Sequence, residues 1–502
     1  MSTAVHTSAA GGAAGPAEGH ERIFEVAPPE ELLYSISADG SRKFMHPVVR
    51  KGQYWHIRRR IAYALMVLFF ALPLIPIGEH PAVLLDIATR RFHMFGATFH
   101  PTDNLLLAAF GFGVVVTVFF VGSTFGRVWC GFGCPQTVYL EFLFRPIEAF
   151  IEGGPTNQRR LNKEPWSAHK LAIKAAKWGT FALVALVMAT TFVAYFTGWA
   201  ALAPGLLHEP AKWTGALFTI AAVTGLIVFD FGWFRDQMCT IACPYGRLQN
   251  VLSDKDTLLV AYDTTRGEPR TRLHHETAGV AAGACVDCGA CVAACPTGVD
   301  IRRGLQVECI GTAQCVDACD EVMRKLGRPT GLIKFTSERE QQGAARRLVR
   351  PRNLVYLALM LVAWGTLGTL VFTRADALVE VVRGGREPYR VLNSGAVANQ
   401  QRMRFTNQLG QRQRFDVTVL SPADATLVVS ESPIVVDTEK VVTVNAVTTV
   451  PQSRFHDGQA TVRYLVTSDG GYRKEIEFLL LGPYDSEGRH ERRNERDEEH
   501  ER

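Results

Sequence analysis

Five stretches of the chain are apolar on all sides rather than along one face: residues 61–77, 105–121, 178–197, 213–231 and 354–372. Each, with its flanks, is long enough to cross the roughly 30 Å hydrocarbon core of a bilayer as a helix. Pro73 and Pro76 near the end of the first run are tolerable there, and Asp230 closes the fourth. Beyond residue 374 the period changes from all-apolar to alternating. Runs at 415–420, 426–430, 440–447, 459–467 and 474–481 alternate β-branched and polar residues, divided by Ser421-Pro422, Asp457-Gly458 and Asp469-Gly470-Gly471. That pattern predicts about six to eight short strands in an antiparallel sandwich. The sandwich contains no cysteine, so no disulfide staples it.

The pattern divides the chain into six parts. They are a flexible segment 1–57, a four-helix transmembrane core 58–234, a polar insert 235–352, a fifth crossing 353–373, a β-sandwich 374–484 and a charged, disordered tail 485–502. Basic residues give the orientation. Arg42, Lys43, Arg50, Lys51, Arg58, Arg59 and Arg60 precede the first run, and Arg127, Arg145, Arg159, Arg160, Lys163 and Lys170 follow the second. The intervening loops carry only Arg90 and Arg91, then Lys212. Positive charge stays inside. The N-terminus and the insert are therefore expected in the cytoplasm and the sandwich on the periplasmic side. The net charge of +5 is small for 502 residues and does not suggest nucleic acid as a partner. No cleavable signal peptide is read at the start.

Cysteine placement supplies the chemistry. All eleven lie between Cys130 and Cys319, in close motifs that suit metal ligation better than secreted disulfides. Cys285, Cys288, Cys291 and Cys295-Pro296 form a C-x2-C-x2-C-x3-C-P run, the spacing that wraps an iron–sulfur cube. A zinc site also uses C-x2-C pairs, but not this order with the trailing proline. A second, altered half places cysteines at Cys309, Cys315 and Cys319, with Thr312 where a regular run has cysteine. By the cross-over rule, Cys285, Cys288, Cys291 and Cys319 hold one cluster, and Cys295, Cys309 and Cys315 hold the other. The second is one thiolate short. A three-iron cluster, a non-cysteine ligand on a four-iron cluster, and a cysteine borrowed from elsewhere all satisfy the sequence.

A second motif repeats. The second apolar run ends in Cys130-Gly-Phe-Gly-Cys134-Pro135 and the fourth in Cys239-Thr-Ile-Ala-Cys243-Pro244, each followed by an amphipathic stretch (139–150 and 245–252). Cysteines four apart share one face of a helix, close enough to grip a soft ion. A lone membrane cysteine is often only a small apolar residue; two matched pairs beside an iron–sulfur module favour a metal or redox role. His80, His93, Met94 and His100 could ligate copper, but without tight spacing they read first as interfacial residues. His274 and His275 read as surface residues, although a histidine could complete the second cluster. Gly111 and Gly113 read as helix-packing positions. No phosphate loop or dinucleotide fingerprint is visible, so electrons are expected from a partner protein or a membrane quinol.

Taken together, the two C-x3-C-P motifs, the run through Pro296, the segment Glu308 to Asp320 and the terminal sandwich resemble the FixG/CcoG family of cytochrome c oxidase accessory proteins. The C-x3-C-P and ferredoxin combination also occurs in membrane polyferredoxins of the NapH type; the sandwich favours the former. The resemblance implies a multi-domain α-helical protein of the bacterial inner membrane. It would have about five crossings, a cytoplasmic two-cluster ferredoxin-like insert and a periplasmic immunoglobulin-like domain. It further implies an oxidoreductase that reduces Cu(II) to Cu(I) during assembly of cbb3-type oxidase. Transient copper would sit at Cys130, Cys134, Cys239 and Cys243, and the partners would be oxidase subunits, copper chaperones or transporters. Two other functions fit the same residues: a quinol-linked electron conduit, and a non-catalytic redox-sensing assembly factor.

Overall fold

The first apolar run folds as helix α1 (Gln53–Ala71), which begins inside the basic collar and ends before Pro73. The 61–77 boundary expected from hydropathy is therefore shifted. Proline stops the helix, and Pro76–Ile77 pairs instead with His80–Pro81 as a short antiparallel ribbon. The start is fixed from a distance. Gly52 offers no side-chain cap, and the Asp317 carboxylate accepts from the Tyr54 and Trp55 N–H groups at 3.1 and 2.8 Å. An anion thus sits at the positive end of the helix. Residues 61–71 alone reach only about 16 Å, and α1 is not one of the helices long and apolar enough to cross a membrane. Arg58 is fully buried and Arg59 stacks over Trp55 at 4.6 Å. At the other end, Tyr195 donates to the Phe69 carbonyl at 2.8 Å.

The computed structural model describes residues 44–484, except 79, 100–103, 272–282, 305, 348, 374–376, 386, 408–410 and 438–439. The expectations for His100, His274, His275, residues 1–43 and the tail fall outside the described residues. The chain divides into two compact units, Met1–Leu367 and Gly368–Arg502. In the first unit, four helices among the described residues are long and apolar enough to cross a membrane: α2 (Leu105–Phe125), α4 (Ala168–Thr197), α5 (Thr214–Phe234) and α9 (Pro351–Phe372). A shorter amphipathic helix, α3 (Arg145–Glu152), lies between α2 and α4 in sequence. Ala62 and Met66 of α1 pack with Phe144, Phe181, Met188 and Phe231 in one cluster. Within it Phe144 stacks on Phe231 at 4.5 Å. Polar groups join α2 to α9: Ser123 donates to Asn353 at 2.9 Å, and Asn353 donates to Thr124 at 3.0 Å. Hydrogen bonds of this kind hold apolar helices in register.

The insert after α5 opens with α6 (Pro244–Leu252) and closes on an antiparallel pair, Leu259–Tyr262 with Ile333–Thr336. Between those strands lie α7 (Ala290–Ala294) and α8 (Gln314–Lys325).

The second unit is the expected sandwich, with two antiparallel sheets among the described residues. One has the order Thr426–Val429, Val441–Pro451, Ala396–Asn407, Ala377–Arg383, with Arg390–Val391 beside Ala396–Asn407. The other runs Ile434–Val436, Gln413–Ser421, Gln459–Ser468, Arg473–Leu481. Val397, Phe405, Phe415, Val462 and Leu480 fill the space between them. One polar trio is buried there: the Tyr464 hydroxyl lies 2.6 Å from Thr448 and donates to Gln401 at 2.8 Å. Tyr464→Phe is expected to destabilise this domain by about 1–3 kcal/mol, because its partners lose a bond without gaining water. Pulse proteolysis of the full-length protein across a urea series reads the shift in midpoint.

Candidate iron–sulfur site

Two backbone reversals shape the first half of the cluster motif. Asp287 and Gly289 adopt positive φ values of 47° and 67°, which fold the Cys285–Cys291 loop back on itself and launch α7. Arg302 braces the loop, pairing with Asp287 and with Asp300, the latter at 2.8 Å. Cys319 approaches from α8. The result is one small pocket whose walls include Cys285, Cys288, Cys291 and Cys319, with Tyr262 and Met323 beside them. These are the four thiols that the cross-over rule assigns to the first cluster. Among the described residues, no three His, Cys, Asp or Glu side chains close on a single-ion position. Four thiols around a cavity suit a multi-iron body rather than one tetrahedral zinc. The residues present therefore fit an iron–sulfur cluster.

Cys295, Cys309 and Cys315 form the second group, each within electrostatic reach of the others. Thr312 is buried in the loop between Cys309 and Cys315, in the place of a fourth thiol. The Cys295 sulfur also meets the Thr297 hydroxyl at 3.4 Å.

The two C-x3-C-P motifs fold alike, though not as the continuous helix that places both cysteines on one face. Cys130 lies in a short turn of helix and Cys239 in a π-type turn. Cys134 and Cys243 are extended, with ψ of 128° and 113°. The proline after each second cysteine disfavours helix at the residue before it and then starts the next helix. In both repeats the second cysteine's N–H reaches back five residues, to Trp129 O at 2.9 Å and Met238 O at 2.8 Å. Such wide turns recur at functional positions.

This geometry brings the four thiols into one neighbourhood. Burial pushes the Cys130 thiol up to about 12; Arg127 acts against the rise, and Cys134 and Cys243 add to it. Cys239 is raised by burial and then by Cys134, Cys130 and Cys243. Cys130 also donates to Gln249 of α6 at 3.6 Å, so a cysteine of the first motif meets the helix behind the second. As neutral thiols these side chains would bind a cation only by giving up their protons.

The shelf of four cysteines adjoins the second cluster group. Arg127 donates to the Cys309 carbonyl and to the Gly246 carbonyl, both at 2.9 Å, tying both motifs to the insert. A methyl group on Gly131 would lie 2.5 Å from Gly311 O and 3.0 Å from Thr312 N, so only glycine allows this approach. Cys239 lines one small pocket with Pro296, Thr297 and Ile310, residues that follow Cys295 and Cys309. Arg127 and Arg58, which donates to Gly131 O at 2.7 Å, were counted in the sequence only as topology charges. The position of Arg127, three residues before Cys130, was the available signal. Elsewhere, His80 stacks on His93 at 3.7 Å, and His93 bonds Thr98 at 2.9 Å.

Comparison with known proteins follows the same divisions. A profile described as a 4Fe-4S dicluster domain matches residues 234–338, and one described as a 4Fe-4S binding domain matches 105–152. The profile for the Ig-like fold at the C-terminus of FixG matches 367–483. The nitrogen fixation protein FixG of Rhizobium meliloti is 31% identical over 87% of this chain and 92% of its own. RdxA of Cereibacter sphaeroides is 36% identical over 67% and 73%, and RdxB of that organism 37% over 71% and 76%.

Proposed function

This chain belongs to the FixG family of membrane iron–sulfur electron-transfer proteins, and from that premise we propose that it reduces Cu(II) to Cu(I) for assembly of a cbb3-type oxidase. The observation that carries this reading is the gathering of Cys130, Cys134, Cys239 and Cys243 against the second cluster group, through Gly131 on Gly311 and Arg127 on Cys309. Clusters held by the insert's cysteines would supply single electrons, which matches a one-electron metal reduction. The protein's own part is to bind and bias. Thiolates prefer Cu(I), so the shelf would release protons as the ion enters and favour the reduced product. The entering Cu(II) gains one electron and leaves as Cu(I). The partners would be oxidase subunits or copper carriers, and the electrons would come from a quinol or another reduced carrier.

The reading also sets sidedness. The start of α1 bonds Asp317 of the insert, and the insert abuts the C-x3-C-P ends of α2 and α5. Together with the arginine and lysine bias this favours an inner-membrane protein with the insert in the cytoplasm and the sandwich in the periplasm. The quadruple change of Cys130, Cys134, Cys239 and Cys243 to serine is expected to abolish Cu(I) formation while iron and sulfide stay at wild-type levels. Anaerobic titration of the reduced protein with one equivalent of Cu(II) measures it; undiminished Cu(I) would make the four cysteines structural. A second reading is favoured by the match of residues 105–152 to a 4Fe-4S binding profile, which includes Cys130 and Cys134. In that case the shelf itself holds a cluster, and about twelve rather than about eight irons per chain are found.

A further inference from the structure

The start of α4 and the end of α5 border a cavity of about 670 Å³ that none of the cysteines lines. Pockets for organic ligands run to about 300–1,000 Å³. Four cations line it, Lys170, Lys174, Lys177 and Arg235, with one carboxylate, Glu148. Glu148 pairs with Lys177 and Arg235, and Glu152 pairs with Lys174. Two positive charges remain after both carboxylates are counted. Lys170 carries one of them outright. It is 5% exposed, and its ammonium meets neutral groups: the Asn162 and Glu164 carbonyls at 3.3 and 2.5 Å, and the Trp166 ring at 5.1 Å. An ammonium has three donors, so one is left over. A buried charge without a counter-ion is costly, and an anion would relieve it.

The helix adds to the imbalance. Lys170, Lys174 and Lys177 recur at helical spacing along one face of the first three turns of α4, and no acidic residue stands in its first turn. That end of a helix already carries partial positive charge. The border of the cavity is apolar and aromatic. Trp166, Trp178 and Trp233 line it and are 74%, 39% and 48% exposed. Both α4 and α5 are of membrane-spanning length. Indoles at the ends of such helices mark the membrane–water boundary, and basic pockets between spanning helices bind lipid headgroups.

We propose that this cavity binds an anionic phospholipid, its phosphate against Lys170 and Lys174 and its acyl chains beside Trp178 and Trp233. Lys177 and Arg235 stay with Glu148 and form the wall. The exposed indoles favour a lipid over free phosphate, which needs the cations alone. The cavity is distinct from the thiol shelf, so the site stands whichever metal the thiols take.

Native mass spectrometry of the full-length protein, released from detergent, tests it with dioleoyl-phosphatidylglycerol, dioleoyl-phosphatidylcholine and inorganic phosphate as probes. One phosphatidylglycerol per chain is expected to be retained in preference to phosphatidylcholine. Joint replacement Lys170→Gln and Lys174→Gln should weaken it about thirtyfold, the worth of two lysines facing an anionic lipid. Arg160→Gln with Lys163→Gln, the same charge change in the preceding loop, should leave it unaltered. Equal retention of the two lipids, displacement of the lipid by millimolar phosphate, or equal weakening by both pairs of changes overturns the proposal. Should the Lys170 and Lys174 variant not fold, wild-type protein decides, photolabelled with a phosphatidylglycerol carrying a diazirine in its headgroup. Adducts within residues 166–178 or 232–235 support the site, and labelling confined to other segments overturns it.

Discussion

Replacing Cys319 by alanine is expected to remove the first cluster, so that iron and acid-labile sulfide fall to about half. The other three ligands sit within one loop, Cys285 to Cys291, and could gather around iron locally. Cys319 belongs to α8, and its thiolate is the covalent tie from that loop through metal to the helix. Because α8 also carries Cys315 and Asp317, loosening it reaches the second group and the start of α1. Metal binding at such a site is folding free energy. The variant should therefore also show increased proteolysis near α8, which a defect confined to electron transfer would not produce. Iron analysis with low-temperature electron paramagnetic resonance reads the result. Wild-type iron with both reduced signals intact would remove Cys319 from the ligand set and, with it, the cross-over assignment.

That Cys285, Cys288, Cys291 and Cys319 lie together was already legible in the chain because cysteine spacing is a local constraint. Three thiols at every third residue encode one loop, and the rule that the last cysteine ligates the partner cluster needs no knowledge of packing. Four of the five apolar runs fold as helices of membrane-spanning length, legible for the same reason: in lipid every residue of a span faces one requirement.

What escaped the sequence depends on distant partners. The true start of α1 is set by a carboxylate about 260 residues away, at Asp317. The strand Ala396–Asn407 was overlooked because Asn399 and Gln401, polar residues, face the core. Their bonds to Leu481 and to Tyr464 and Thr448 replace water there. Cys134 and Cys243 do not share a helical face with their partners because the following prolines force extended backbone. Grouping of the four thiols arises instead between the repeats, a tertiary fact. Arg58 and Arg127 looked like ordinary inside-positive charges, yet both are buried at the junction of the motifs and the insert.

The α3–α4 contact carries the second large expected effect. Glu148 on α3 accepts from Lys177 of α4 at 2.7 Å and forms an ion pair with Arg235 at 2.7 Å, and the side chains are 3%, 9% and 3% exposed. Glu152, one turn on, meets Lys174 at 2.7 Å and Lys177 at 3.1 Å. Glu148→Ala strands the buried Arg235 and leaves Lys177 with Glu152 alone, and a loss of about 3–5 kcal/mol is expected, the range for breaking one side of a buried pair. The acid dependence has a definite sign. Burial pushes the Glu148 carboxyl upward, but Arg235 and Lys177 outweigh it and hold the group at about 2, against an ordinary 4.5. A carboxylate depressed on folding contributes its full stability above the ordinary value and loses it as pH falls towards the depressed one. The difference in urea midpoint between wild type and Glu148→Ala should therefore be constant from neutral pH down to about 5. Below about 4.5 it should shrink as the wild-type carboxylate is protonated. Tryptophan fluorescence follows the transition, since Trp178 and Trp233 line the cavity beside Glu148. A difference that stays constant to pH 3 would mean that packing, and not charge, holds α3 on α4.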